Sequence, residues 1–306
     1  MKPKKSLSQN FLINDRAAKR IVESLNIQED DTVLEIGAGK GALTKYLLGK
    51  AKKVIAVEID KKLCQYLEQR FLEKKNLVLI NKDILKVNFK ELIQKQKISL
   101  HTPLPQEERE LHEFPPPLMG GGQEEGDSIN SLEIAGQESH LKVIGNLPYQ
   151  ITSPLLSLLL ENRKFISLSV LMVQKEVAQR ICAQPKSKDW SPLSVVVQLY
   201  SEVKTLFHLK PTSFFPPPKV ESSVIKIIFL KKPKVFIADE KLFFRVVRSA
   251  FGQKRKIILN SLSANFNLPK KEMELILNKV KIDPKRRAES LSIQEFANLS
   301  KALAIF

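Results

Sequence analysis

At 306 residues the chain has room for one large α/β domain plus a small appendage, and no apolar run in it reaches bilayer-spanning length. Lys and Arg number 50 against 33 Asp and Glu, a net charge of +17 that points to a polyanionic partner, nucleic acid before an anionic membrane. Two distant cysteines, Cys64 and Cys182, form no CxxC pair and suggest neither a disulfide framework nor a zinc site, and Met1-Lys2-Pro3-Lys4-Lys5 lacks the apolar stretch of a secretion signal, so a cytoplasmic protein is expected.

Between residues 2 and 20, six bases (Lys2, Lys4, Lys5, Arg16, Lys19, Arg20) stand against one acid, Asp15. Ser8-Gln9-Asn10-Phe11-Leu12-Ile13 interrupts them, and from Asp15 the spacing of Ala18, Ile21, Val22 and Leu25 predicts a helix. Such an arm suits a phosphate contact and suits a solvated lead-in equally well. Thr32 to Ile36 then predicts a buried strand, Gly37-Ala38-Gly39-Lys40-Gly41 a glycine loop, and Leu43, Leu47 and Leu48 a helix. Glycines at this spacing let backbone approach a ligand where a side chain would collide, with helix amides close behind. Dinucleotide sites use G-x-G-x-x-G. Here the third glycine comes one residue early and Glu35 precedes the first by two, a version that resembles motif I of the class I S-adenosylmethionine-dependent methyltransferases.

The next strand, Val54 to Val57, ends in Glu58, 21 residues beyond Gly37. A carboxylate there can accept both hydroxyls of a ribose, a contact that nicotinamide and methionine-adenosine cofactors share. A third strand, Leu77 to Ile80, leads to Asp83, placed to accept from an adenine amine. From about residue 100 to 141 the periodicity dissolves into Pro115-Pro116-Pro117, Gly120-Gly121-Gly122 and nine acids against one base, Arg109. The composition predicts a mobile acidic loop. Three of the four histidines (His101, His112, His140) lie in it and His208 stands apart, so no metal site is expected.

Val143-Ile144-Gly145 reads as the end of a buried strand, and Asn146-Leu147-Pro148-Tyr149 as the sharp turn leaving it. That turn suits an acceptor that is an exocyclic amine. The Asn146 side-chain oxygen and the Leu147 carbonyl can take the two amine hydrogens, Pro148 fixes the backbone, and Tyr149 offers a face on which a base stacks. An ordinary strand-ending turn is the plain alternative. Ser153-Pro154 opens a helix, Ile166 to Val173 is a strand, and another helix begins at Gln174. Pro211 to Val220 is a stiff loop between strands at Val203 to Leu209 and Val224 to Phe229, able to present Phe214 so that it sandwiches a base against Tyr149. Residues 231–306 hold 17 bases and 7 acids, and their apolar spacing predicts several short helices. Arg245, Arg248, Lys254, Arg255 and Lys256 cluster at the start of this region as candidate phosphate contacts. Two domains are expected, residues 1–230 and a basic, all-α domain over 231–306.

Laid out together, Ser8 to Leu12, Glu35 to Thr44, Gly145 to Tyr149, Phe214 to Val220 and Ala250 to Lys256 closely resemble the small-subunit ribosomal RNA adenine N6,N6-dimethyltransferases, the KsgA family. The resemblance runs from about Lys5 to Leu299 apart from the acidic insert. It implies a class I, Rossmann-like α/β sheet with S-adenosylmethionine as cofactor, held by positions matching Asn10, Leu12, Gly37, Gly39, Glu58, Asp83 and Asn146. It implies an acceptor site at Asn146 to Tyr149 with Tyr149 and Phe214 as stacking aromatics. It also implies small-subunit rRNA in a pre-ribosomal particle as partner, two adjacent adenosines near the 3′ end as target, and no membrane; a monomer is expected. The chain departs from the family at the insert, at Trp190-Ser191 where Tyr-Gly is frequent, and at Lys254 where Arg is usual. Two other readings stay open: the same chemistry on large-subunit rRNA or DNA, and a non-catalytic ribosome-assembly factor.

Overall fold

A computed structural model of the protein describes residues 3, 4, 7, 9–95, 141–253 and 255–305. The loop expected over residues 100–141 lies outside the described residues except for Leu141, and so does Lys254. The described chain divides into two compact units. The first takes residues up to 95, 141–178 and 204–229, and the second takes 179–203 and 230–305. The expected division at 230/231 had put residues 179–203 in the first unit.

In chain order the elements are β1 (Phe11–Leu12), α1 (Asp15–Glu23), β2 (Thr32–Ile36), α2 (Thr44–Leu47), β3 (Lys53–Glu58), α3 (Lys61–Arg70), β4 (Leu77–Asn81), α4 (Phe89–Lys95), β5 (Leu141–Asn146), α5 (Thr152–Glu161) and β6 (Leu168–Gln174). They continue with α6 (Lys175–Cys182), α7 (Pro192–Tyr200), β7 (Ser201–Leu209), β8 (Phe214–Phe215), β9 (Ser222–Phe229), α8 (Glu240–Phe251), α9 (Ile258–Phe266), α10 (Lys270–Lys279) and α11 (Ile293–Leu303).

Among the described residues, seven strands form one sheet in the order β4-β3-β2-β5-β6-β9-β7. β4, β3, β2, β5 and β6 run parallel, and β9 is antiparallel to β6. β2 and β5 are buried nearly end to end, which is why their sequences read as continuous apolar runs rather than alternating ones. The chain leaves β2 toward β3 and β4 on one side and returns through β5 to β6 on the other. The crevice at such a reversal, beyond the strand C-termini, is where open α/β sheets take ligands. Register fixes it here: Ile36 pairs with Val57 on one flank and with Gly145 on the other, so Gly37, Glu58 and Asn146 emerge at one edge. At the opposite end the buried Lys142 ammonium meets Asp31 at 2.6 Å and donates to the Asn26 carbonyl. That satisfied ion pair fastens the start of β5 beside the start of β2.

α1 shows why the first helix forms where its spacing predicts. Asn14 caps it by accepting from Ala17 N–H at 3.0 Å, Asp15 sits in the first turn, and Ala17, Ala18, Ile21 and Val22 face the core. A second, two-stranded ladder was not foreseen. β1 and β8 pair antiparallel, Phe11 with Phe215 and Leu12 with Phe214, and two residues are too few to show a period.

In the second unit, α8 is capped by Asp239 and buries Phe243, Phe244, Val246, Val247 and Ala250. Residues 179–203 join it through specific bonds: Trp190 Nε1–H donates to the Leu291 carbonyl at 2.9 Å, and the Tyr200 hydroxyl donates to Glu240. Trp190, at a departure from the family pattern, is therefore a core residue of this unit, 2 % exposed. Ser191, the other half of that departure, forms a capping box with Ser194 at the head of α7.

Candidate active site

The crevice at the strand ends is a cavity with walls from five segments. Its lining includes Gln9, Asn10 and Phe11 of the arm, Gly37 and Gly39, Glu58 and Ile59, Asp83 and Ile84, and the run Asn146 to Ile151. Residues predicted from separate stretches of sequence thus come together.

The glycine loop is shaped by positive φ at Gly37, Gly39 and Gly41. Gly37 N–H donates to the Val57 carbonyl at 2.8 Å, tying the loop to β3. A Cβ on Gly39 would come within 3.3 Å of the Phe11 ring, so the arm lies directly against the loop. Glu58, 5 % exposed, accepts from Gly39 N–H through Oε2 and from Asp60 N–H through Oε1, both at 2.9 Å. Burial raises its carboxyl above the ordinary range, and those two backbone bonds oppose the rise. Asp83 accepts from Leu85 N–H through Oδ1, and Ile59 and Ile84 follow Glu58 and Asp83 directly, giving the cavity an apolar slot beside each acid.

Beneath the loop, Glu35 is fully buried and accepts the Thr44 hydroxyl at 2.7 Å. Burial pushes its carboxyl up to about 8; the Thr44 bond works against the shift and nearby Glu58 adds to it. Asp60 joins the loop to the arm. It accepts Lys62 N–H as the cap of α3, meets the Lys4 ammonium at 2.9 Å, and receives Gln9 Nε2–H at 3.4 Å. Burial would raise its carboxyl, but the Lys4, Lys62 and Gln9 bonds hold it below the usual value.

On the far wall, Asn146 ends β5 and its Nδ2–H donates to the Asn10 carbonyl at 2.8 Å. Using the amide nitrogen this way leaves Oδ1 as the acceptor end. Leu147 N–H donates to the Met172 carbonyl at 3.2 Å, and Pro148 holds φ −56° and ψ 129° before a single 3₁₀ turn over Tyr149–Ile151. Tyr149 is half-buried with its hydroxyl 3.0 Å from that of Ser222, and burial raises its pKa against that bond.

Two of the expected site residues do not line the cavity. Leu12 and Phe214 are 7 % and 3 % exposed and belong to the hydrophobic core with Ile144 and Met172. The reason is alternation: as partners in the β1–β8 ladder they share the face turned inward. In the second unit, Arg245, Arg255 and Lys256 are exposed, Arg248 is partly buried, and the Arg245 guanidinium lies over the Phe266 ring at 4.5 Å. Sequence reasoning missed Gln9, Phe11, Ile59 and Ile84 as lining residues. Adjacency was the available signal, since each stands next to a predicted one. Among the described residues no group of three metal-ligating side chains occurs, and no helix is long and apolar enough to cross a membrane.

With this geometry in hand, the chain can be set beside known proteins. The family described as ribosomal RNA adenine dimethylase matches residues 1–304. Ribosomal RNA small subunit methyltransferase A of Bacillus cytotoxicus is 42 % identical over 303 residues, covering 98 % of this chain and 91 % of the relative. The protein of the same name from Clostridium botulinum is 41 % identical over 300 residues, covering 98 % and 93 %. Among solved structures, a dimethyladenosine transferase from Plasmodium falciparum aligns with a TM-score of 0.67 at 27 % identity, over 94 % of this chain and 95 % of that one. The 23S rRNA methyltransferase ErmE shares the fold, with a TM-score of 0.65 at 22 % identity over 96 % of this chain and 100 % of that one.

Proposed function

The chain belongs to the ribosomal RNA adenine dimethylase family, and from that premise we propose that it methylates the exocyclic N6 of adenosines in small-subunit rRNA, twice per base, with S-adenosylmethionine as donor. The finer proposal is that the targets are two adjacent adenosines near the 3′ end, met during ribosome biogenesis in a pre-ribosomal particle, by a monomeric cytoplasmic enzyme that needs no metal.

One observation carries the reading: the Asn146 amide is oriented by its bond to the Asn10 carbonyl, with its acceptor end spare, in the same cavity as the glycine loop and Glu58. The donor set fits S-adenosylmethionine. Two carboxylates, Glu58 and Asp83, suit ribose hydroxyls and an adenine amine, Ile59 and Ile84 suit the adenine faces, and Gly37 and Gly39, both at positive φ and without a Cβ, leave the backbone open to the remainder. The same acids complement a cation. When bound, this cofactor supplies a methyl group on a positively charged sulfur, ready for attack by a nucleophile.

The adenine amine is a poor nucleophile because its lone pair is delocalised into the ring. Asn146 Oδ1 and the Leu147 carbonyl would accept its two protons, favour the pyramidal amine, and aim the lone pair across the cavity. Pro148 holds that carbonyl in one direction. Tyr149, its hydroxyl fixed by Ser222, offers a face for the extruded base, and stacking at about 1–3 kcal/mol offsets an extrusion cost of a few kcal/mol. After transfer the nitrogen is cationic and acidic, so water can take its proton. Leu12 and Phe214 would support this site from the core side, as the inward-facing residues of β1 and β8. Arg245, Arg248, Arg255 and Lys256, with Lys254 outside the described residues, would neutralise rRNA phosphates.

The deciding experiment incubates the protein and S-adenosylmethionine with small subunits purified from cells lacking this modification, in parallel with large subunits and duplex DNA. N6,N6-dimethyladenosine should form in the small-subunit arm, and reverse transcription should stop at the modified bases near the 3′ end, because both pairing-edge protons are gone. Product only in another arm, or in none, would overturn the reading.

A further inference from the structure

Resting on the function just proposed, we infer that Phe215 is a stacking platform for the base next to the target adenosine. The register of β1 and β8 carries the inference. Directly opposed residues of an antiparallel pair project to the same face. Leu12 and Phe214 take the inward face, whereas Phe11 and Phe215 take the other. Phe11 lines the cavity, with its ring against the glycine loop and the Lys40 ammonium 4.9 Å from its centroid. Phe215, one strand further out on that same face, is 54 % exposed.

A large ring held in solvent, paired across the ladder with a residue that lines the cavity, has no role in the core. Its ladder is fastened by Ile13 N–H donating to the Ser213 carbonyl at 2.9 Å, so the ring stands on a fixed backbone. Exposed Lys210 and Lys219 flank it in sequence, and Lys40 sits over its cross-strand partner. Rings for bases with cations for phosphates are the chemistry of single-stranded nucleic acid binding. The net charge of +17 favours an anionic strand over an apolar protein surface as occupant. Extruding one adenosine also unstacks its neighbour, which then reaches the cavity mouth with a bare face. Phe214 and Phe215 thereby divide the labour that one aromatic would be asked to do: Phe214 anchors the ladder and Phe215 meets the strand.

The test combines methylation kinetics on unmodified small subunits, S-adenosylhomocysteine affinity by calorimetry, and fluorescence of a single-stranded RNA carrying 2-aminopurine beside an adenosine. Phe215→Ala should lower kcat/KM about tenfold, leave S-adenosylhomocysteine affinity unchanged, and abolish the quenching expected of the unsubstituted protein. Phe215→Tyr should restore both rate and quenching, and Phe215→Leu neither. Unaltered kinetics and quenching in Phe215→Ala, full rescue by Leu, or a loss of S-adenosylhomocysteine affinity would each overturn the platform. Failure of the proposed function has a different signature: the unsubstituted protein transfers no methyl to small subunits, and the quenching series then decides Phe215 by itself.

Discussion

On the wall of the cavity proposed to hold the cofactor, the acidic side chains are already engaged by the fold. Glu58 holds two backbone amides, Asp83 caps the turn after β4, and Asp60 binds a lysine, a glutamine and a helix N-terminus. On the wall proposed to take the acceptor, the polar groups are anchored only at their far ends. Asn146 is held by its nitrogen and Tyr149 by its hydroxyl, so that the amide oxygen and the ring face remain for a ligand. The difference separates two demands. A flexible cofactor needs a rigid cradle, whereas a reacting amine needs acceptors whose lone pairs nothing else has taken.

Asn146→Ala breaks this contrast most severely. It removes the spare oxygen and also the bond that braces the arm, and methylation of small subunits should fall about 10³-fold, ~4 kcal/mol of transition-state stabilisation. Binding to the subunit, which the basic second unit is proposed to supply, should stay within about threefold by filter retention. Methylation within tenfold of the unsubstituted rate would remove Asn146 from the chemistry.

Glu35→Gln sharpens the other side of the comparison. The Glu35 carboxyl rises from 4.5 to about 8 in the folded chain, so between those values the folded state keeps a proton that the unfolded state has lost. Its contribution to stability is fully present below about pH 4.5, falls as pH rises, and levels off above about 8. At pH 7 the loss is on the order of 3 kcal/mol. Glutamine keeps an acceptor for the Thr44 hydroxyl without any charge. Thermal unfolding of the variant and the unsubstituted protein should therefore coincide near pH 4 and diverge toward pH 8, the variant being the more stable. A difference that stays flat across that range would show that Glu35 is ionised in the fold.

The sequence made the cradle legible because parallel strands buried on both faces are continuous apolar runs, and the ends of β2, β3 and β5 carry Gly37, Glu58 and Asn146 in plain view, with Asp83 just past the half-buried β4. It did not show which way each aromatic turns in Phe214-Phe215. That depends on a two-residue ladder with Phe11-Leu12, in a distant part of the chain, and so short a segment has no periodicity to read. The grouping of residues 179–203 with the second unit was hidden for a similar reason. α7 is mostly apolar and buries even its Ser194 and Gln198, so its sequence announces burial without naming the partner, and the partner is set by the Trp190–Leu291 and Tyr200–Glu240 bonds. Asp60 escaped notice because an acid two residues past a strand end reads as an ordinary helix cap, which it also is.

Asp60 supplies the mildest perturbation of the cradle. Asp60→Asn keeps the shape and the capping oxygen of α3 but gives up the charge that draws in Lys4. Lys4 is 47 % exposed, so solvent screens the pair and the ion pair itself is worth at most about 1 kcal/mol. That is equivalent to about fivefold in affinity. S-adenosylhomocysteine binding, followed by calorimetry, should weaken by about that factor as the arm carrying Gln9, Asn10 and Phe11 loosens over the cavity. Lys4→Ala should reproduce the loss, and adding it to Asp60→Asn should have no further effect, because both remove the same contact. Raising the salt concentration should weaken the unsubstituted protein toward the variant. Additive losses in the double variant would mean that Lys4 and Asp60 act on the cofactor separately, and the arm would then not be held through Asp60.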